Sequence, residues 1–357
     1  MSSNQKTVLT GDRPTQPSPE ASAGRQSGRK IVLTGDRPTG RLHLGHYVGS
    51  LLNRLEFQDE HDVFILVADL HAMTTNTDTS KIRSNVLDLV IEQLAVGLDP
   101  VKVTFFVQSQ IPEIAELSVI FSMLVSKPTV ERVPTLKDML RDLKIENPSM
   151  GLISYPILQA ADILMAKANI VPVGKDQASH IELTREIANK FNSLYGEVFP
   201  IPETLIPKET GTLVGIYGKA KMSKSLNNAI YLSDSKEEIE KKVMQMYTDP
   251  DHIHVDQPGR VKGNVVFTYL DVFDKDKKEL KKLKDQYQKG GLGDVVLKKR
   301  LINVLNDLLS PIRERRENLA KNPKEVMRIL EDGTAKARKV AQETLREVRE
   351  AMKINYF

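Results

Sequence analysis

A chain of 357 residues is longer than one compact core usually requires, so we expect one larger and one smaller domain. With 40% hydrophobic and 27% charged residues, its composition is that of a globular protein, and no apolar run reaches the ~18 residues of a membrane span. The absence of Cys excludes disulfides, thiolate metal sites and Cys nucleophiles, and with the polar N-terminal segment it predicts a cytoplasmic protein. A net charge of +4 permits a polyanionic partner without requiring one.

The first 29 residues form a leader rich in Ser, Pro, Gln and Gly. Residues 6–15 nearly repeat residues 30–39, but the first copy continues into a linker-like Gln-Pro-Ser-Pro sequence. We therefore expect a flexible, dispensable leader that carries a partial duplication. The alternative is that residues 8–10 compete for the place of residues 32–34.

From residue 30 onward, short β-branched runs alternate with helical periodicities. In chain order they predict a strand at 31–34, a helix with Val48, Leu51, Leu52 and Leu55 on one face, a buried strand at 63–68, a helix from Ile82 to Leu94 that stops near Gly97, a strand at 103–107 and a helix from about Pro112. This order predicts an α/β fold with a doubly wound, parallel, Rossmann-like sheet. Its ligand site is expected at the carboxyl ends of the strands.

The sequence pattern changes after Pro200, Pro202 and Pro207, and from about residue 234 the chain is helical, charged and poor in strand signals. We expect a domain at 30–230, an all-helical C-terminal domain at 231–335, and a final helix at 336–357 that packs back on the first domain. Gly333 is expected to separate the last two helices. Two apolar stripes mark the helical part: Leu297, Leu301, Val304 and Leu308, and then Ala337, Ala341, Leu345, Val348 and Met352.

Directly after the first strand, Pro-Thr-Gly-Arg-Leu-His-Leu-Gly-His at 38–46 opens a helix. A helix start offers unpaired N–H groups and a positive dipole end to phosphate, and Gly45 allows close approach. His43 and His46 are three residues apart and therefore face the same side. Alone, this pattern is also compatible with a metal-binding pair or a surface turn.

Far downstream, residues 218–225 read Gly-Lys-Ala-Lys-Met-Ser-Lys-Ser. Lysines that alternate with small residues do not build a core, so they are either solvated or directed at an anion. The combination of His-X-Gly-His after strand one with Lys-Met-Ser-Lys-Ser in the same chain resembles the double signature of class I aminoacyl-tRNA synthetases.

This resemblance implies that ATP and Mg²⁺ are used to activate an amino acid, with catalytic roles for His43, His46, Lys221 and Lys224. It assigns ATP binding to these signatures and to the end of a later strand, through Thr39, Gly40, His43, Gly45, His46, Asp176, Met222, Ser223, Lys224 and Ser225. It implies no metal site built from protein ligands. Lys137 is a further candidate phosphate contact, although a purely structural role is the alternative.

A mostly apolar helix at 154–168 carries Tyr155, Gln159 and Asp162 at spacings of four and three, so these polar groups share a face. A carboxylate there needs a donor from the protein or from a ligand. A strand, a turn with Gly174 and a helix follow, and Asp176 and Gln177 lie where the strand ends.

The Gln-Ala-Ala-Asp-Ile helix and the run at 171–185 resemble the tryptophanyl-tRNA synthetase family, and the resemblance covers residues 30–357. It implies that Asp162, helped by Gln159, binds the indole N–H, and that Tyr155 and Gln177 bind the α-amino group. It places Leu33, Val171 and Val173 around the ring, together with His71, for which a buried core histidine is the alternative. The expected substrates are L-tryptophan and tRNA(Trp).

The sequence departs from the family pattern at Asp36-Arg37, where many members have an apolar residue and Gln, and at Gln159, where many have Met. These departures indicate a divergent branch. By analogy we expect a homodimer, and an anticodon-reading helical domain with basic stretches at 277–284 and 313–316. Alternatives are a tyrosyl enzyme of the same architecture, a small-molecule adenylyltransferase, or a non-catalytic paralogue.

Overall fold

The computed structural model describes residues 28–174, 178–206 and 213–357. The predicted leader at 1–29 therefore lies almost entirely outside the described residues. The strands are Ile31–Asp36 (β1), Asp62–Val67 (β2), Val103–Val107 (β3), Ile170–Pro172 (β4) and Glu203–Leu205 (β5). All neighbouring strands run parallel, in the order β3-β2-β1-β4-β5.

Helices connect the strands and continue to the C-terminus. In the first half they are Leu44–His46 (α1), a π-helical turn at Tyr47–Leu51, Leu52–Glu60 (α2), Asp69–Met73 (α3), Ile82–Val96 (α4), Glu113–Ser122 (α5), Lys127–Glu131 (α6), Pro134–Asp142 (α7), Met150–Met165 (α8) and Ala178–Tyr195 (α9). The second half contains Lys236–Met244 (α10), Val265–Phe273 (α11), Lys277–Lys289 (α12), Asp294–Lys321 (α13) and Pro323–Ala351 (α14). Within the described ranges, no helix combines the length and apolar character that a membrane-spanning helix needs.

The sheet is buried on both faces, and the side-chain alternation of its strands divides the core in two. On β2, Ile65 and Val67 belong to a core that includes α4, α11 and α13, whereas Phe64 and Leu66 belong to a second core that includes α5, α8 and α9. The predicted doubly wound α/β architecture with a helical C-terminal part is confirmed.

The strand order creates a switch point beside β1. The chain moves outward from β1 to β2 and β3, and then returns to place β4 on the other side of β1. Loops that leave β1 and β4 therefore diverge, and a crevice forms at the carboxyl ends of these two strands.

The helix after β1 is less regular than its apolar stripe predicts. Val48 and Leu51 are buried, but Leu52 and Leu55 are only half-buried, and Arg54 lies in the core instead. The π-helical turn at 47–51 adds a residue to one turn and rotates the buried face, which explains the difference. Arg54 donates to Asp36 Oδ2 at the end of β1 and to Gln93 Oε1 on α4.

The prediction that Gly333 separates two helices is wrong. Gly333 lies inside the continuous helix α14, where an added Cβ would stand 2.1 Å from the backbone oxygen of Phe105 on β3. The glycine lets α14 lie directly on the edge strand, where the Thr334 hydroxyl accepts a hydrogen bond from the Val107 N–H at 3.2 Å. The stripe that follows Gly333 is buried against the α5 and α8 side of the sheet, except for the half-buried Met352.

Gly333→Ala should lower the free energy of unfolding by about 1–3 kcal/mol, because the new methyl group overpacks against β3. The sign is opposite to the usual effect of Gly→Ala within a helix. Gly151→Ala in α8 is the matched control, since the nearest atom to its added Cβ is 3.9 Å away. Urea denaturation of both variants measures the difference, and equal stabilities would contradict the proposed close contact.

Candidate active site

Residues 39–46, the signature segment, pair with a short stretch that follows the lysine-rich loop. Leu44 N–H donates to the Ile230 carbonyl at 2.9 Å, and Leu232 N–H donates to the Leu42 carbonyl at 3.0 Å. His43 forms an antiparallel bridge with Tyr231 between these two bonds. This backbone pairing joins the two sequence signatures, which are almost 180 residues apart along the chain.

The two histidines lie on the same side, as their spacing predicts. Their ring centroids are 3.8 Å apart, and the His43 N–H donates to His46 Nδ1 at 3.1 Å. A Cβ at Gly45 would stand 2.9 Å from the His43 imidazole, and the Gly45 N–H donates to Met222 Sδ at 3.3 Å. Glycine at this position therefore allows the histidine ring and the lysine-rich loop to approach the helix start.

Both imidazoles are neutral at physiological pH. Burial, with the neighbouring His46 and Lys224, lowers the pKa of His43 from 6.5 to about 3. Burial also lowers the pKa of His46 from 6.5 to about 4, although the charge of Asp36 opposes the shift. Neutral rings present a hydrogen-bond donor and an acceptor to a ligand.

The lysine-rich loop, residues 213–228, is folded by its own backbone and by Asn228. Val214 bridges Lys221, and Gly215 N–H donates to the Ala220 carbonyl at 2.8 Å. The buried Asn228 side chain accepts from the Ser223 N–H at 2.8 Å and donates to the Lys221 carbonyl at 3.2 Å. The lysines are thereby displayed on a defined hairpin.

Lys224 brings the hairpin to the signature segment. Its Nζ donates to the Gly40 carbonyl at 3.0 Å and to the Thr39 carbonyl and hydroxyl at 3.3 Å each. Burial lowers the pKa of Lys224, while Glu92 and Asp36 oppose the shift. Lys221 is exposed, and its charge acts on both histidines. The hydroxyls of Ser223 and Ser225 lie 2.9 Å apart. The predicted phosphate-binding groups therefore surround one place.

A cavity of about 520 Å³ opens beside this place, at the carboxyl ends of β1 and β4. Its walls include every predicted amino-acid-binding residue that the structure describes: Leu33, His71, Tyr155, Gln159, Asp162, Val171 and Val173. Asp176 and Gln177 lie outside the described residues. Lys137 is exposed on α7, whose Thr135 and Met139 line the cavity.

Asp162 is buried, and the protein supplies part of its hydrogen bonding. Gln108 Nε2 donates to both carboxylate oxygens at 2.9 Å, and His71 Nε2 lies 2.8 Å from Oδ2. Burial raises the pKa of Asp162, whereas the bonds from His71 and Gln108 oppose the shift. A carboxylate offers about four acceptor positions, so these three bonds leave one without a partner among the described residues, and Asp162 lines the cavity.

Tyr155 lies two turns before Asp162 on α8 and also lines the cavity. Its hydroxyl lies 2.9 Å from His180 Nε2 and 3.1 Å from the Thr135 hydroxyl, and Thr135 lies 2.9 Å from the same His180 nitrogen. This triangle joins α7, α8 and α9 and orients the phenol.

Arg37 adds a positive charge at the cavity wall, directly after β1. Its guanidinium lies 5.7 Å from the centre of the Tyr155 ring, and burial lowers its pKa. Within the described ranges no carboxylate pairs with it, whereas its neighbour Asp36 is paired with Arg54. Arg37 is therefore a half-buried cation beside an open space.

Four side chains at the site were not among the predicted residues: Gln108, Thr135, His180 and Arg37. Gln108 had a recognisable signal, because it is a polar residue directly after the predicted strand at 103–107, and Arg37 lies three residues after the predicted strand at 31–34. Thr135 and His180 lie on helices whose relative placement no local pattern specifies.

The parallel sheet with paired His-X-Gly-His and Lys-Met-Ser-Lys-Ser signatures defines the class I aminoacyl-tRNA synthetases. The family model "tRNA synthetases class I (W and Y)" matches residues 25–310, so the chain belongs to this family. It is 49% identical over 348 residues to the tryptophan–tRNA ligase of Treponema pallidum (strain Nichols), covering 97% of this chain and 96% of that protein. The corresponding enzyme of Clostridium longisporum is 52% identical over 356 residues, covering 98% and 97%.

A comparison with a solved structure agrees with this family assignment. The tryptophanyl-tRNA synthetase of Campylobacter jejuni, complexed with ADP and tryptophan, superposes with a TM-score of 0.82 at 36% identity. The superposition covers 90% of this chain and 99% of that one.

The buried histidines predict a stability that depends on pH. Because the folded pKa values of about 3 and about 4 lie below the ordinary value of 6.5, the unfolded chain binds more protons in that interval. The free energy of unfolding should therefore fall as the pH drops from about 7 to about 4. Urea denaturation across this range measures the slope.

The variant His43→Asn/His46→Asn should reduce that slope, and the exposed His254→Asn should leave it unchanged. An identical slope in the double variant and the unsubstituted protein would show that the two imidazoles are not buried in neutral form.

Proposed function

We propose that this protein is a tryptophan–tRNA ligase. It uses ATP to convert L-tryptophan into tryptophanyl-adenylate, with release of pyrophosphate, and transfers the tryptophanyl group to tRNA(Trp), with release of AMP. The observation that carries the proposal is the buried Asp162 carboxylate, which lies in a largely apolar slot beside the two converging phosphate-binding signatures. The named relatives in the preceding section support the same substrate.

In this proposal the open acceptor position of Asp162 receives the indole N–H, with Gln159 beside it. Leu33, Val171 and Val173 contact the ring, and His71 holds the carboxylate in place. A buried acceptor that the wrong substrate leaves unpaired can reject it ~10⁴- to 10⁵-fold, whereas apolar fit alone gives ~10- to 200-fold. This difference separates tryptophan from phenylalanine.

The polar end of the amino acid lies toward Tyr155 and Arg37. The oriented Tyr155 hydroxyl, together with Gln177, binds the α-amino group. The Arg37 guanidinium is the natural counter-ion for the α-carboxylate, because a guanidinium pairs with a carboxylate through two parallel hydrogen bonds. Such pairing holds the attacking oxygen while it approaches ATP.

For ATP, the neutral His43 and His46 rings and the backbone near Gly45 bind the adenosine and triphosphate, and Thr39, Gly40 and Asp176 are the further proposed contacts. Met222 holds the hairpin against Gly45. The departing phosphates are bound by the side chains of Lys221, Ser223, Lys224 and Ser225. The lysines, the serine hydroxyls and the backbone N–H groups are donors that match phosphate oxygens. The ligands for a metal ion would therefore come from the triphosphate. Mg²⁺ bound to ATP would neutralise charge on the leaving pyrophosphate.

For this reaction the protein has to position the reactants and stabilise the charge that develops in the transition state. A carboxylate oxygen of tryptophan attacks the α-phosphorus, and the bond to pyrophosphate breaks. A ribose hydroxyl of tRNA then attacks the activated carbonyl carbon, and AMP leaves. Lys224, which now bonds to the Gly40 and Thr39 oxygens, is close enough to exchange these partners for phosphate oxygens.

We also propose that the helical region at 231–335 reads the tRNA anticodon, and that α12 contributes the exposed Lys278 and Lys281 to phosphate contacts. The expectation of phosphate contacts from 313–316 needs correction. Arg313 donates to the Asp234 carbonyl at 3.2 Å, Arg315 donates to the Ala95 carbonyl at 2.6 Å, and Arg316 lies against Asp88 and Glu92. Arg315 and Arg316 therefore fasten α13 to α4, whereas Arg313 bonds within the helical region.

A cytoplasmic location and a two-fold homodimer complete the proposal. Exposed apolar side chains on α5, directly after it and at the start of α8, namely Val119, Met123 and Met150, offer surface for a second copy.

The decisive experiment is amino-acid-dependent exchange of pyrophosphate into ATP. Exchange with L-tryptophan, followed by charging of tRNA(Trp), is the expected result. Exchange with tyrosine alone would make the chain a tyrosyl enzyme. Exchange without any tRNA charging would make it an adenylyltransferase, and no exchange with any amino acid would make it a non-catalytic paralogue.

Lys224→Ala should slow tryptophan activation by about 10²-fold or more, because a preorganised charge at the leaving phosphates is lost. Tryptophan affinity should change little, because Lys224 does not line the slot. The chain contains no Trp, so the bound ligand is the only indole fluorophore and binding is read directly. Lys219→Ala, an exposed lysine of the same hairpin, is the matched control. Strongly weakened tryptophan binding in Lys224→Ala would contradict the assigned role.

A further inference from the structure

The signature segment is held by a carboxylate that is not part of the phosphate-binding groups. The N–H of Leu42, the residue before His43, donates to Glu92 Oε2 at 2.5 Å. The Leu42 carbonyl accepts a hydrogen bond from the Leu232 N–H. Glu92 and the strand-like stretch at 230–232 therefore fix the backbone immediately before the first histidine from two directions.

Glu92 lies in an unusual place for a carboxylate. The second half of α4, from Leu89 to Val96, is buried, and Glu92 itself is only 1% exposed. Burial raises its pKa, while the Leu42 N–H and the charges of Arg316 and Arg41 oppose the shift. A carboxylate at such a position is costly unless its partners are well placed. An apolar residue would fit the buried face of α4 at position 92, so packing alone does not account for a carboxylate there.

The second oxygen of Glu92 faces the helical region. Glu92 Oε1 lies 3.5 Å from Arg316 Nε on α13, and neither atom has a hydrogen-bond partner among the described residues. Arg316 also reaches Asp88, one turn earlier on α4, where Nη2 lies 3.4 Å from Oδ1. Glu92 thus stands between α13 and the signature segment, with one oxygen toward each.

The adjacent residue is fixed independently. Arg41 donates through Nε to the Ser233 hydroxyl at 2.8 Å and through Nη2 to the buried Asp234 at 2.9 Å. Asp234 also receives the Lys242 side chain, and its carbonyl accepts from Arg313 of α13. Both residues that precede His43 are therefore linked to α13, Leu42 through Glu92 and Arg41 through Asp234.

We propose that Glu92 is a positioning residue for the activation step: it sets the place of the His43–His46 pair relative to α13 through its paired contacts with Leu42 and Arg316. The inference rests on the proposed function and deepens it, since Glu92 lies outside the amino-acid slot and acts on the ATP-binding groups through its bond to the signature segment, while its charge also acts on Lys224. A displacement of the reacting groups by ~1 Å can cost ~10²-fold in rate, so a contact of this kind has a measurable effect.

Glu92→Gln tests the role with minimal change of shape, because the amide oxygen still accepts the Leu42 N–H but the charge that faces Arg316 is lost. The measurement is pyrophosphate exchange with whichever amino acid the unsubstituted protein activates, as a function of ATP concentration. We expect kcat/KM for ATP to fall by about ten- to a hundredfold. The affinity for the amino acid, read by fluorescence when it is tryptophan, should stay within about twofold.

Arg316→Gln should give a similar loss from the side of α13, and Arg316→Lys should recover part of it. The combined variant Glu92→Gln/Arg316→Gln should lose much less than the product of the two single losses, because both changes break one contact. Asp88→Asn is the matched control: it removes the other carboxylate beside Arg316 but does not touch Leu42, so ATP kinetics should be unchanged. Thermal denaturation of every variant identifies any that fail to fold, and Arg316, being partly exposed, provides the test if Glu92→Gln does not fold.

Unchanged ATP kinetics in folded Glu92→Gln or Arg316→Gln would overturn the positioning role. Multiplicative losses in the combined variant, or an equal loss of amino-acid affinity, would also overturn it. These outcomes are distinct from failure of the proposed function, which would appear as the absence of tryptophan-dependent exchange in the unsubstituted protein.

Discussion

The backbone pairing between residues 42–44 and 230–232 is the constraint on which the site depends. Two main-chain hydrogen bonds and the bridge between His43 and Tyr231 bring the helix start after β1 against the lysine-rich hairpin. The contacts of Gly45 with Met222 and of Lys224 with Gly40 follow from that pairing. Main-chain bonds depend little on side-chain identity, so this pairing joins the two signatures without using the imidazoles or the lysine side chains.

The amino-acid slot has a different origin, since it follows from the topology of the sheet. The reversal of strand order beside β1 opens a crevice, and α8 covers it with a largely apolar face that carries one carboxylate. Because Gln108 and His71 already bond to Asp162, the carboxylate is oriented before any ligand arrives. Prior orientation of a buried acceptor lets it discriminate between ligands without reorganising during binding.

The helical region is fastened to the sheet domain by arginines of α13 and by the close contact of α14 with β3. The basic stretch at 313–316, which the sequence predicts as a phosphate contact, thus bonds to other parts of the protein. Of the exposed lysines of α12, Lys277 donates to the Asp271 carbonyl and Lys282 pairs with Glu279, whereas Lys278 and Lys281 have no ion-pair partner among the described residues. The distinction between these two basic stretches depends on which helix faces touch another element.

The sequence alone determined the strands β1 to β3, the helices that follow them, the two signature motifs, and the shared face of Tyr155, Gln159 and Asp162. These features depend on local spacing, which the periodicity of a strand or helix converts directly into direction. The tertiary structure decided the burial of Arg54, the continuity of α14 through Gly333, the donors around Asp162 and the place of Glu92. Each of these depends on atoms brought together from distant parts of the chain, and neither residue spacing nor local propensity encodes such contacts.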